Sequence, residues 1–194
     1  MSEQLDRRSH AYRPDLADIR LTGRVTADRY IKGMPAEVIV PVAALHPRPD
    51  PQSSIDTEAL RGEALSVFDI SGGWAWVQLA ADGYVGYVRE ETIGQGAAPA
   101  THVVSVPRSF VYPGADLRFP HLEALSMGSR LRVTGKAETR GTGYAILEDG
   151  SAVIAAHLRP VDENLTDDPV SVASRFLETP YLWGGRSGFG IDCS

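Results

Sequence analysis

The rhythm of apolar and polar positions changes twice along this chain. Residues 1–35 hold scattered apolar positions with no sustained period, as in "LADIRLTGRVTADRYIKG"; they read as a leader that docks on the residues downstream of it. From residue 36 the chain turns to short β-branched and aromatic runs. "AEVIVPVAAL" is expected to be a strand, and the proline-rich "HPRPDPQSS" a loop. "ALSVFDI", "WAWVQLA" and "YVGYVRE" come next as further strands, separated by "SGG" and "ADG", which suit hairpin turns. A compact all-β unit over 36–95 results. After the small-residue linker "GQGAAPA", the runs "THVVSV", "SFVYPG", "SRLRVTGKAE", "GYAILED" and "SAVIAAHLRP" predict a second such unit over 101–160.

The two units align with each other. Gly62, Leu65 and Val67 match Gly128, Leu131 and Val133; Trp76 and Leu79 match Tyr144 and Leu147; the turn Asp82-Gly83 matches Asp149-Gly150. A β module is therefore repeated with a period of about 67 residues, as a tandem and not as a solenoid.

At 161–168 the acidic "VDENLTDD" reads as a linker, and after it the period becomes helical. Asp168 is placed to N-cap and Pro169 to occupy the first helical position, where its missing N–H is harmless. Val172, Ala173, Phe176 and Leu177 then share one face, and Pro180 ends the helix. A new α-containing domain starts at about 169 and runs to 194.

Composition narrows the function classes. The chain has 194 residues, is 43% hydrophobic and 23% charged, and carries a net charge of −6. That is a globular composition, and its sign speaks against a nucleic-acid partner. The polar start lacks the apolar core of a signal peptide, and no apolar run reaches the length of a membrane span, so the chain as written is expected to be cytoplasmic. Its single cysteine excludes an internal disulfide and any site with several cysteine ligands. The five histidines (His10, His46, His102, His121 and His157) are expected to be exposed loop or sheet residues. None stands at metal-ligand spacing, so neither a metal nor another cofactor is expected.

A lone cysteine is usually a small buried hydrophobe. The alternative is a nucleophile, which needs a base and gains from a helix N-terminus. "GFGIDCS" has the glycines and the Asp192 and Ser194 side chains that such a helix entry would use, and by themselves they leave both readings open.

The whole string adds a resemblance. Tyr181, Trp183, Gly184, Gly185, Gly190, Asp192, Cys193 and Ser194 stand in the pattern P-Y-x-W-G-G-x-x-x-x-G-x-D-C-S. This resembles the NlpC-type cysteine peptidases of the cell wall, and the upstream G-x-x-L-x-V and "GYVGYV" patterns resemble bacterial SH3-like domains. The resemblance covers most of residues 36–194 and is weaker over 101–160, where "SAVIAA" replaces the glycine-aromatic strand. It implies a mainly β chain: two small SH3-like barrels in tandem, then the first helix and nucleophile segment of an incomplete, papain-like α+β domain. It implies that Cys193 attacks the scissile carbonyl, that Tyr181 stabilises the oxyanion, and that Asp192 and Ser194 bind the free amino end of the substrate. Trp183 is expected to be core packing.

The family's base is a His downstream of the nucleophile, and nothing here follows Ser194. The chain is thus expected to be a truncated, inactive piece, with 169–194 poorly ordered or docked on the second module. The resemblance further implies peptidoglycan-derived peptides as partners, specifically hydrolysis of the γ-D-glutamyl-diamino-acid bond of muropeptides with a free N-terminal L-alanine. In it the first module walls the site, with Glu63, Tyr84 and Tyr87 as candidates. The rival reading is a non-catalytic tandem SH3-like module that binds cell-wall peptide or a protein partner. Its candidate surface is an aromatic platform of Trp74, Trp76, Tyr84 and Tyr87.

Overall fold

The structure is a computed structural model that describes residues 5–96, 99–164, 166 and 168–193. These fall into two compact units. The first holds the described residues up to 59 and from 63 to 96; the second holds 60–62 and the described residues from 99 onward. The architecture is mainly β, with small antiparallel sheets in each unit. No helix among the described residues is long and apolar enough to cross a membrane.

In the first unit the leader contributes β1 (Ala17–Asp18) and β2 (Tyr30–Ile31), a short parallel pair. The module proper is built from β3 (Met34–Val38), β4 (Val42–Leu45), β5 (Thr57–Leu60), β6 (Ala64–Ser71), β7 (Trp74–Leu79), β8 (Val85–Arg89) and β9 (Ile93–Gln95). A five-stranded antiparallel sheet runs in the order β8-β7-β6-β3-β9, and β4 pairs with β5 beside it. The single strand expected over 36–45 is broken in two at Ile39–Pro41. Pro41 has no N–H to give a ladder, and the chain turns there from β3 into β4. Short β5 ("TEAL") escaped the sequence reading because Glu58 interrupts its apolar pattern; all four of its residues are nonetheless buried.

One core gathers Val38, Leu45, Leu65, Val67, Val77, Leu79 and Val88 between the strands. A second cluster covers the opposite face: Ala11 and Leu16 of the leader pack on Phe68, Trp76 and Val85. Strand β7 is therefore buried on both faces, which is why "WAWVQL" reads as a continuous apolar run rather than an alternating one. Arg13 ties the leader down. Its guanidinium lies 4.4 Å from the Trp76 ring centroid, pairs with Asp15 and Asp69 at 2.8 Å each, and donates to the Tyr87 hydroxyl at 3.2 Å. Burial works against its charge, but the hydrogen bonds to Asp15, Asp69 and Tyr87 outweigh it and raise the Arg13 pKa.

The second unit repeats the order about 66 residues on. Its strands are β10 (His102–Val104), β11 (Arg108–Val111), β12 (Glu123–Ser126), β13 (Arg130–Leu131), β14 (Val133–Thr139), β15 (Thr142–Leu147), β16 (Ala152–Ile154) and β17 (Leu158–Pro160). The correspondence extends to irregularities. A bulge between Val67 and Asp69 in the β6–β7 pairing recurs between Val133 and Gly135 in β14–β15. Bulges bend and twist a strand, which lets so small a sheet curl over its own core. A 3₁₀ turn precedes the last strand of each module, at Glu90–Thr92 and Ala155–His157. Val104, Val111, Leu125, Leu131, Leu147 and Val153 make the second core. Strand β14 alternates between half-buried and exposed positions, the pattern of a strand covered on one face.

The segment after the second module holds α1 (Pro169–Ala173), a 3₁₀ turn at Ser174–Phe176, and a small antiparallel pair of β18 (Arg186–Ser187) with β19 (Gly190–Ile191). Asp168 caps α1 as expected, accepting from Val170 N at 3.0 Å behind Pro169. The expected longer helix does not form. Ser171 and Ser174 turn their hydroxyls back onto the carbonyls of Asp168 and Ser171, Leu177 is extended and Glu178 has φ of +67°. Val170 and Leu177 are 72% and 78% exposed, so no buried apolar face carries the helix further.

Candidate functional site

Residues 180–193 form a compact knot. Leu182 N donates to the Ile191 carbonyl at 3.0 Å and Ile191 N to the Pro180 carbonyl at 3.2 Å, which lays 180–182 alongside β19. Tyr181 bridges Ile191 in parallel, and Cys193 follows Ile191 by two residues, so the backbone brings the segments that carry the two catalytic candidates alongside each other. The glycines of the motif have separate reasons. Gly184 adopts φ of +71°, which L side chains avoid. A Cβ on Gly185 would lie 2.6 Å from the Gly190 carbonyl oxygen, so the two chain segments could not approach as they do.

Asp192 locks the knot. Its Oδ2 accepts from Gly184 N at 2.8 Å, and its own N–H donates to the Gly185 carbonyl at 3.1 Å. The carboxylate is thereby held by the Gly-Gly turn, next to the cysteine in sequence. Cys193 itself is exposed and in no disulfide, not the buried hydrophobe that a lone cysteine usually is. Tyr181 is 64% exposed. Ser194 lies outside the described residues. The segment docks on the second module: Gly188 N donates to Ser126 Oγ at 3.0 Å and Arg175 Nη1 to the Ser105 carbonyl at 3.3 Å. Sequence reasoning missed Ser126; a buried serine in a strand carries no signal until its partner is known.

Several expectations need correction. Trp183 is 67% exposed and does not pack in a core, because the knot is too small to enclose an indole. His46 is buried rather than exposed: its Nδ1 lies 3.2 Å from the Ser54 carbonyl, and its ring meets Trp74 edge-on at 5.3 Å. His157 is half-buried in the 3₁₀ turn, with Nδ1 2.9 Å from Ser109 Oγ, and burial lowers its pKa. Glu63, one of the candidates for the wall of the site, is buried. The aromatic platform is not formed. Trp74 and Trp76 are buried, the second under the leader, and Tyr84 and Tyr87 are half-buried. No group of three or more His, Cys, Asp or Glu side chains among the described residues could hold a metal ion.

Comparison with known proteins gives these features a setting. Residues 45–93 match the bacterial dipeptidyl-peptidase SH3 domain family. The chain is 26% identical over 161 residues to a γ-D-glutamyl-L-lysine dipeptidyl-peptidase of Bacillus cereus, covering 73% of this chain and 48% of that protein. A protein of the same name from Bacillus subtilis is 26% identical over 153 residues, covering 72% of this chain and 50% of the relative. The chain thus spans about half the length of these relatives. Its fold resembles that of an NlpC/P60 family protein from Bacillus cereus, with a TM-score of 0.65 at 20% identity over 82% of this chain and 69% of the other. The resemblance to NlpC-type peptidases with SH3-like domains, drawn from the cysteine motif and the glycine-aromatic strand, is borne out.

Proposed function

We propose that this chain carries the nucleophile of a cysteine peptidase that hydrolyses peptidoglycan-derived peptides at the γ-D-glutamyl-diamino-acid bond. The observation that supports the reading best is the knot at 180–193. It presents an exposed Cys193 two residues past the Tyr181–Ile191 bridge and an Asp192 anchored to the Gly184 amide. The names of the relatives supply the bond: they are γ-D-glutamyl-L-lysine dipeptidyl-peptidases.

In this proposal the Cys193 thiolate attacks the γ-carbonyl carbon of the D-glutamyl residue. The carbonyl π electrons move onto oxygen, and the Tyr181 phenol donates a hydrogen bond to that developing charge. As the intermediate collapses the C–N bond breaks, the diamino acid leaves as an amine after taking up a proton, and a thioester to Cys193 remains. Water then attacks the thioester carbonyl, releasing L-alanyl-D-glutamate with its γ-carboxyl group free, and the thiol. Asp192 acts as counter-ion to the substrate's N-terminal ammonium, and its bond to Gly184 N fixes the carboxylate for that task. Both steps need a base. His46 and His157 are engaged inside their own modules, by Ser53 and Ser54 and by Ser109 respectively, and are not assigned that role.

An affinity label tests the reading on this chain directly. L-Alanyl-γ-D-glutamyl chloromethyl ketone should alkylate Cys193 once per chain, detected by peptide mass spectrometry. It should react faster than its L-glutamyl diastereomer, and the Cys193→Ser variant should stay unlabelled. Equal labelling by the two diastereomers would overturn the assigned substrate class.

A further inference from the structure

The first unit carries a cleft of about 290 Å³ between the leader and the module. Pro47, Trp76 and Val85 give it apolar lining, and five polar side chains line it as well: Arg7, Tyr12, Arg13, Asp15 and Tyr87. A small concave site with an apolar body and a few convergent polar groups is the form that small-ligand sites take.

The ligand that suits it depends on which groups are already engaged. Arg13 is committed to Asp15 and Asp69, and these two carboxylates are in turn committed to Arg13. Arg7 differs. Its guanidinium stands 5.1 Å from the Tyr12 ring centroid and is in no ion pair among the described residues. Tyr87 differs too. Its oxygen accepts from Arg13 Nη1, so the hydroxyl proton points elsewhere, and it has no acceptor among the described residues. Tyr12, by contrast, has used its proton on the Leu5 carbonyl at 2.6 Å. The cleft therefore offers a cation and a hydroxyl donor that have no counter-ion and no acceptor among the described residues, beside apolar lining.

We propose that this cleft is a binding site for a small carboxylate with an apolar body, the carboxylate taken by Arg7 and the Tyr87 hydroxyl. Arg13 is a positioning residue: it holds the Tyr87 oxygen as an acceptor and so turns the phenol proton toward the ligand. The site lies within the first unit and does not depend on Cys193 being a nucleophile, so the proposal goes beyond the peptidase reading.

The test is titration of the whole chain with N-acetyl-L-alanine and with its amide, followed by the indole N–H signals in a nitrogen-edited NMR spectrum. The carboxylate should shift the Trp76 signal saturably and the amide should not. Arg7→Ala should weaken binding about tenfold or more, the loss of a charge-assisted hydrogen bond. Tyr87→Phe should weaken it less, and Lys32→Ala, which removes a charge elsewhere, should leave it unchanged. Absence of saturable binding to the unaltered chain, equal binding of acid and amide, or unchanged affinity in Arg7→Ala would each overturn the proposal. None of these outcomes touches the labelling of Cys193, so the two readings fail separately.

Discussion

Replacing Leu16 by alanine examines whether the leader is part of the first module's fold. Leu16 is 1% exposed and packs against Phe68, Trp76 and Val85. Truncation removes three carbon groups from an apolar site, worth about 0.8 kcal/mol each, or about 2.4 kcal/mol in transfer free energy. The cavity left under the Trp76 indole adds to this, and Leu→Ala changes in cores cost about 2–5 kcal/mol in total. Ile19, three residues on and 52% exposed, is the control; Ile19→Ala should change stability by less than about 0.5 kcal/mol. Urea unfolding followed by tryptophan emission suits the measurement, because Trp74 and Trp76 both lie in the first unit. With a denaturant slope of about 1–2 kcal/mol/M, the midpoint should fall by more than about 1 M in Leu16→Ala. If Leu16→Ala unfolds together with Ile19→Ala and the unaltered chain, the leader contributes no core, and the account of why β7 is apolar on both faces fails.

Two further perturbations address the second unit. Gly185→Ala would set a Cβ 2.6 Å from the Gly190 carbonyl oxygen, so the knot should open at a cost of about 1–3 kcal/mol. The amides of Leu182 and Ile191 should then exchange with deuterium faster while those of Val104 and Tyr112 do not; unchanged protection would refute the packing argument. Burial holds His157 below its ordinary pKa of 6.5, so just below that pH the unfolded chain binds a proton that the folded chain does not. Stability of the second unit should therefore be full above about pH 6.5 and decline as pH falls through the window beneath it. The dependence should flatten in His157→Gln, and an equal slope in the variant would show that His157 is not its source.

Much of this protein is set locally and was legible as such. The alternating runs became strands, the turns at Asp82-Gly83 and Asp149-Gly150 brought φ of +79° and +81° at their glycines, and the tandem period reappeared down to the position of the bulge. The string from Pro180 to Cys193 could be singled out as a candidate site because its glycines, Asp192 and Cys193 lie within a few residues of one another, and the backbone closes on itself there. The remaining features depend on partners distant in sequence, and folding alone brought those together. That Ala11 and Leu16 cover Trp76 removed the proposed aromatic platform, and no periodicity in the leader reports it, since two or three anchors do not make a repeat. The burial of His46 and Glu63, the exposure of Trp183, and the placing of Arg7 and Tyr87 on one cleft belong to the same class. Periodicity records which face of an element is covered by its regular neighbours. It is silent on a covering segment that is irregular and arrives from dozens of residues away.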